Sequence, residues 1–529
     1  MKTLRNIFLT TFVVLFASCD FLEIEPRGFI HPENFYEDEN DAFMALVGVY
    51  NPLASQSFYG RDWFFAFNSQ DDLGYYDRNY STEELFLNNF TYTNTRLNNL
   101  WTNLYAGINR ANSFLEYVPN IEFSDVNLKK AYIGEAKFLR AYYYFILSSL
   151  WEDVPFRDKS VESLEQSSQI PATPKEEIFE FVVNEMIAAD SLVYPANHFQ
   201  GMGRISQSTV QGILARVYLK MAGYPMKLGR PAYEQAAIWA KKVRDSNLHQ
   251  LNIDYKQIFI NLAQDKYDTQ YRESIWEVEF KGNNLDGHET GGCLGSYSGI
   301  SCADGINSDT PGFCYGYITC TLALEDLYVT GDSVRKSWNM ANYYYAYNAT
   351  TGVRTKSYWK TTQLAYRNAG KFRREYETVL PKSKDFTPIN FPVLRYADVL
   401  LMIAEAENEK GQMPTDLAYD CLNEVRKRVM PATETITNKS YEEFQQLVRD
   451  ERARELCFEG TRKQDLIRWE LYLKSVIQDR RNMITDARWA VNKSFAANIA
   501  NYTSERHVVY PIPSSEMASN SQIKQHDLW

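Results

Sequence analysis

Apolar residues recur three and four positions apart over several long stretches of the chain, and in a central block the recurrence stops. From Arg395 the series Val399, Met402, Ile403 and Ala406 predicts a helix with one buried face. Gly411 and Pro414 break it, and Leu417, Leu422 and Val425 carry a second helix to Arg428. Two helices joined by a short turn form an antiparallel hairpin. Ser440 and Glu443 then make a capping-box pair that opens a third helix. From there to Trp469, charges of both signs sit at helical spacing: Arg452 with Glu455, Glu459 with Arg462 and Lys463, Asp465 with Arg468. Phe458, Leu466 and Trp469 lie among them. Charges interleaved with large apolar residues predict ion pairs partly sunk into a helix–helix seam.

The N-terminal half shows the same period. Glu37 to Pro52 carries Ala42, Leu46 and Val49 on one face; Asn98 to Val118 carries Trp101, Leu104, Ile108, Ala111 and Leu115. Asn127 to Trp151 is apolar around most of its girth and is predicted to be buried. Pro171 to Val193 follows, with Pro174 where a helix starts. In Gly203 to Ser246, the positions Ala215, Tyr218, Gly223, Tyr233, Ala236 and Ala240 resemble the small-and-aromatic pattern of tetratricopeptide helix pairs. Small residues let paired helices approach closely, and the next pair covers the remaining face. The expected fold is therefore mainly all-α: a tetratricopeptide-like solenoid built from both ends of the chain, over 36–53, 97–260 and 391–485. Two regions without a sustained period, 54–96 and 270–390, overlay it as loop-rich insertions. Within the second, Glu273 to Phe280 alternates like a short strand.

The first residues change the picture of where the protein works. Lys2 and Arg5 precede an apolar run from Ile7 to Phe16, and Ala17, Ser18 and Cys19 follow. Residues 1–18 read as an export signal, too short for a membrane span. The Phe16-Ala17-Ser18-Cys19 ending resembles a bacterial lipobox, which implies a mature chain lipidated at Cys19. Residues 19–35 then form a polar tether, and 36–529 a single domain. An exported chain meets an oxidising compartment, so Cys293, Cys302, Cys314 and Cys320, clustered in one stretch, read as two disulfides of open connectivity. Their spacing lacks the tight pairs of structural zinc, and no metal or cofactor is expected. Cys421 and Cys457 read as buried thiols.

The chain has 529 residues and a net charge of −11 without a basic run, which argues against a nucleic-acid partner. Phosphate loops, metalloprotease helices and nucleophile elbows are absent from the sequence. Glu455 and Glu459 could suggest a glycosidase pair. Each has basic neighbours that would keep it ionised, whereas a general acid needs a raised pKa. Aromatics make up 15% of the chain. Sugars stack their C–H faces on such rings and need Asp, Asn or Arg for their hydroxyls. The candidates lie in the two irregular regions: Trp63, Asp71, Asp72, Tyr75, Tyr76 and Arg78 in the first, and Tyr297, Tyr315, Tyr317, Trp338, Tyr343 and Tyr345 in the second.

The wording RYADVLLMIAEAEN, LNEVRKR and ERARELCFEGTRKQDLIRW closely resembles the C-terminal signature of the SusD/RagB family. DFLEIEP near the start, GEAKFLRAYYYFILSSLWEDVPF and the closing VVYPIPSSEMASNSQIKQ agree with it. The resemblance implies a non-catalytic, surface-exposed outer-membrane lipoprotein that captures a glycan and hands it to a SusC-like TonB-dependent transporter. A peptide-binding member of the family, a helical scaffold that binds only proteins, and a glycosidase are the alternatives.

Overall fold

The computed structural model describes residues 35–78, 83–161, 163, 166, 168–285, 291–302, 310–489 and 494–529. The export signal, Cys19 and all of the tether but Phe35 lie outside the described residues.

Capping chemistry sets the helix starts. Helix α1 (Glu39–Tyr50) begins at Asp38, whose carboxylate accepts from the Asn40 and Asp41 amides. A short α2 (Asp62–Ser69) lies in the first irregular region. Helix α3 (Thr95–Tyr117) is capped by Asn94, and α4 (Val126–Trp151) by Asp125. Helix α4 is buried around its whole girth in its second half, as its uniform apolarity predicts. Helix α5 (Lys175–Asp190) starts directly after Pro174. Helix α6 (Gln207–Ala222) opens on a Ser206/Thr209 capping box, and α7 (Arg230–Asp245) and α8 (Tyr255–Gln264) follow. After the insertion, which contributes α9 (Ser333–Asn339), come α10 (Tyr396–Gly411), α11 (Asp416–Val429), α12 (Tyr441–Leu456) and α13 (Arg462–Arg468). Ser440 and Glu443 form the predicted capping box at α12.

Neighbouring helices pack in chain order: α1 on α3, α3 on α4, α4 on α5, α5 on α6, α6 on α7. Helix α7 then packs on α10, which carries α11 and α12. The two ends of the chain thus form one continuous all-α array. Close approach has a local cause at Gly223, where an added Cβ would lie 2.3 Å from the Arg468 carbonyl oxygen.

The strands are few and short. Strand β1 (Gly74–Tyr76) lies in the first irregular region. The predicted alternating segment forms β2 (Ser274–Val278). Strand β3 (Ile318–Cys320) and the hairpin β4 (Tyr343–Tyr347)/β5 (Arg354–Tyr358) belong to the insertion, and β6 (Phe391–Arg395) leads into α10. Strands β2 and β6 pair antiparallel, with Ser274 opposite Arg395. That register carries Glu273 to the Arg395 guanidinium, at 2.9 Å.

The charges of the C-terminal segment are buried, and their partners are mostly distant in sequence. Glu455 faces Arg335, Arg395 and Arg428 at 3.1, 3.1 and 2.6 Å. Glu459 pairs with Lys371 and Arg395, and Arg452 with Asp398 and Asp465. Of the predicted neighbour pairs, Asp465 with Arg468 forms, at 2.8 Å; Arg462 instead binds Asp72, and Lys463 donates to Gln70. Local spacing named charges that do pair, but the low-dielectric seam selects partners from other elements.

Burial alone would raise the Glu451 carboxyl. The guanidinium groups of Arg335 and Arg454 outweigh it and hold the group at about 2. Asp398, between Arg452 and Arg216, is likewise held at about 2 despite its burial. Both folded values lie below the ordinary ones, so their stabilisation is present at neutral pH. It is lost as pH falls from the unfolded values toward about 2. Glu273, raised by burial more than its arginines lower it, offsets part of the loss. Urea midpoints should therefore fall between about pH 5 and pH 3. Replacing Glu455 with Gln leaves three guanidinium groups short of a buried counter-charge, and should cost about 3–5 kcal/mol in urea denaturation.

Candidate functional site: an aromatic face on the insertion

Strand β1 pairs antiparallel with β3, with Gly74 opposite Cys320 and Tyr76 opposite Ile318. The two irregular regions are therefore one assembly. Side chains alternate across a strand, so adjacent tyrosines of β1 go to opposite faces. Tyr75 points to Trp489 and donates to the Ala365 carbonyl. Tyr76 points to Phe65, Phe86 and Tyr317.

The same ladder continues outward. The Asp77 amide donates to the Tyr317 carbonyl, that of Tyr317 to Tyr297, and that of Tyr315 to Ser296. Tyr315 and Tyr317, two apart, share a face and stack at 4.6 Å with 12° between ring planes. Tyr297 meets both at an angle, at 5.2 and 5.3 Å, and Phe313 adds an edge to Tyr315 at 4.7 Å. The buried Phe65 lies beneath Tyr297 and Tyr317. Arg78 lies over the Tyr317 ring, and its Nη2 donates to the Tyr315 carbonyl at 2.7 Å. The Lys384 ammonium lies over Phe313 and Tyr315, and the Tyr315 hydroxyl donates to Asp385 at 2.7 Å. All these side chains except Phe65 are half-buried, so the rings present edges and hydroxyls, flanked by a guanidinium, an ammonium and a carboxylate.

Of the sequence candidates, Arg78, Tyr297, Tyr315 and Tyr317 meet on this face. Tyr345 stands close by on β4, whose Tyr345 amide donates to the Ser301 carbonyl, and its hydroxyl donates to Glu375. The remaining candidates hold the loops together. Trp63 is 8% exposed and packs among Phe58, Tyr59 and Phe67. Buried Asp71 accepts from the Leu73 and Gly74 amides and shapes the turn before β1. Burial and the neighbouring Asp72 push its carboxyl up to about 7. Asp72 receives two bonds of 2.8 Å from Arg462. Tyr75 and Tyr76 are the two buried sides of β1, and Tyr343 is buried under Lys356. Trp338 is buried, donates to the Lys371 carbonyl and lies under Arg373 at 3.7 Å. These rings and acids were expected to face a ligand; strand pairing turns Tyr75 and Tyr76 inward, and local packing or ion pairing buries the others.

Phe313, Lys384 and Asp385 belong to the face and were missed. Lys384 and Asp385 follow Tyr315 by about seventy residues, and no local pattern links them. The hairpin also carries a stack that was not singled out, Tyr344 on Trp359 at 4.3 Å and Trp359 on Tyr366 at 5.1 Å.

Two further expectations are corrected or sharpened. The two disulfides expected among Cys293, Cys302, Cys314 and Cys320 are not formed: all four side chains are buried, and Cys293, Cys314 and Cys320 are thiols. Cys302 and Cys314 stand opposite each other across an antiparallel bridge, each amide donating to the other's carbonyl, while the Cys293 thiol donates to Gln56 and Cys320 lies in the main core. As for a carboxylate pair, Glu455 is held far down by arginines that outweigh its burial, so it has no proton to give a leaving group. Among the described residues no group of three or more His, Cys, Asp or Glu is placed to hold a metal ion, and no helix is long and apolar enough to cross a membrane.

This arrangement, an all-α array with an aromatic overlay, has known counterparts. The SusD family model matches residues 272–529, and a model described as starch-binding and associating with the outer membrane matches 20–219. The chain belongs to the SusD/RagB family. SusD-like protein P25 of Formosa agariphila is 27% identical over 99% of this chain and 98% of its own length. The starch-binding protein SusD of Bacteroides thetaiotaomicron is 23% identical over 81% of this chain and 78% of its own. Among solved structures, a SusD homologue from Bacteroides thetaiotaomicron superposes with a TM-score of 0.84 at 27% identity, covering 94% of this chain and 98% of that one. A laminarin-binding SusD-like protein does so at 0.71 and 20%, covering 93% and 100%. The SusD-type fold is thus spread over nearly the whole chain.

The burial of Trp338 gives a direct check on which aromatics are structural. Trp338→Ala should lower unfolding free energy by about 3–5 kcal/mol, as for other buried tryptophans, measured by chemical denaturation.

Proposed function

We propose that this chain is a non-catalytic, cell-surface glycan-binding lipoprotein that catches an oligosaccharide on the Tyr297–Tyr315–Tyr317 face. It delivers that ligand to a SusC-like TonB-dependent transporter in the outer membrane. The observation that carries the reading is the convergence of three half-exposed tyrosines with Arg78, Lys384 and Asp385 from four separate segments. Ring edges and hydroxyls beside fixed donors and an acceptor suit a ligand dense in hydroxyl groups. Membership of the SusD/RagB family supports the same reading, as does the description of the matching N-terminal model as starch-binding and outer-membrane-associating. The lipobox-like ending before Cys19 supports a lipid anchor; a lipobox cysteine carries more than one acyl chain, which makes anchoring stable. An open face buries little of a polar ligand, so modest affinity is expected.

Native gels cast with a panel of polysaccharides test this. Retardation by at least one glycan is expected, and Tyr315→Ala and Arg78→Ala should each weaken it about tenfold with the melting transition preserved. Retardation by none of the panel, or binding indifferent to both substitutions, would refute the assignment.

A further inference from the structure

Each tyrosine of the aromatic face has a cation of its own. Arg78 lies over the Tyr317 ring at 5.0 Å, and the Lys384 ammonium over the Tyr315 ring at 5.4 Å. The third cation is Arg61, the residue before α2. Burial raises the Tyr297 hydroxyl, and the Arg61 guanidinium beside it draws it partly back. Asp385 acts on the same hydroxyl and accepts from that of Tyr315 at 2.7 Å. Arg61, Tyr297, Asp385 and Tyr315 therefore meet on one side of the face, and Arg78 lies at its Tyr317 end.

The two guanidinium groups are turned outward and their counter-charges inward. The Arg61 side chain is 29% exposed, and that of Asp62, 2.8 Å away, only 6%. Asp62 is also shared with Arg96, through the same Oδ1. Arg78 is 33% exposed, against 12% for Asp77, which stands 4.0 Å away and already accepts from the Thr319 hydroxyl. Among the described residues no other carboxylate comes within ion-pair distance of Arg61 or Arg78, and none comes within it of Lys384. The half-buried Lys384 ammonium makes no hydrogen bond among them either, so its three donors are open. Asp385, also half-buried, is the opposing charge beside it, with one oxygen already taken by Tyr315.

On a chain of net charge −11, three outward cations around one set of rings are a local reversal of sign. Such groups attract oxyanions: a guanidinium meets two oxygens in a fork, and an ammonium acts as a point charge. The rings take the C–H face of a sugar whether or not that sugar is charged. We propose that the glycan captured on this face is acidic, a polymer whose sugars carry carboxylate or sulfate groups, and that Arg61 and Lys384 select for that charge. This rests on the reading of the face as a saccharide site. Cations at three rings let one strand be met at more than one anion. Because they are partly exposed, salt screens their contribution and leaves the stacking.

Native gels cast with polygalacturonate, alginate or dextran sulfate, run beside gels with the neutral polymers laminarin, dextran and hydroxyethylcellulose, test the preference. At least one acidic polymer should retard the protein about tenfold more strongly than any neutral one, and added sodium chloride should weaken that retardation. The carboxylated and sulfated polymers tell the two anions apart. Lys384→Gln, which breaks no ion pair, should reduce acidic retardation about fivefold with the melting temperature unchanged. Arg61→Gln, which leaves Asp62 its bond to Arg96, should do so to a similar degree. Retardation by neutral polymers alone overturns the proposal while the saccharide reading stands, and retardation by none removes both. Acidic retardation that both substitutions leave intact also overturns it, because the charge would then be read elsewhere on the chain.

Discussion

The structure depends on keeping a set of buried arginines and glutamates in mutual contact. Arg335 and Arg395 are fully buried, as are Glu451 and Glu455. Taking any one of these ions out of water costs several kcal/mol, which mutual attraction repays only if the geometry is maintained. The partners come from the insertion (Asp332, Arg335, Lys371), from the residue before β2 and the end of β6 (Glu273, Arg395) and from α11 and α12 (Arg428, Glu451, Glu455). No element of this set can leave without stranding charge on another. The network therefore ties the irregular overlay to the helical array more specifically than apolar packing could.

That tie bears on recognition. The aromatic face is made of short strands and loops, which on their own would order poorly. Here their undersides are anchored: Asp72 to Arg462, Trp338 to Lys371 and Arg373, Phe65 under two tyrosines. A pre-formed face loses less entropy on binding than one assembled around the ligand. The buried sequence candidates thus hold the half-exposed tyrosines of the face in place. The loops can vary in what they display while the framework beneath them stays the same, which suits a family whose members share a fold at low identity.

The framework was readable because its signals are local. Start signals such as Pro174 and the Ser440/Glu443 pair, the three-and-four recurrence along α10, and the uniform apolarity of α4 each follow from chemistry within one or two turns. The alternation at β2 was legible for the same reason. Charges were legible as a class, since interleaving with large apolar residues implies burial. Their partners were not, because a helix neighbour at i+3 competes with any guanidinium that folding brings closer. Arg452 passes over Glu455 for Asp398 and Asp465.

The amino-acid sequence by itself determined the helical elements, the two interruptions and the supply of aromatics, all of which rest on spacing along the chain. Only the tertiary structure decided which tyrosines face outward, because one residue of strand register sends Tyr75 and Tyr76 to opposite sides and stacks Tyr317 on Tyr315 rather than on a neighbour in sequence. It also decided that Lys384 and Asp385 join that face, since this depends on distances between segments that the order of residues does not encode.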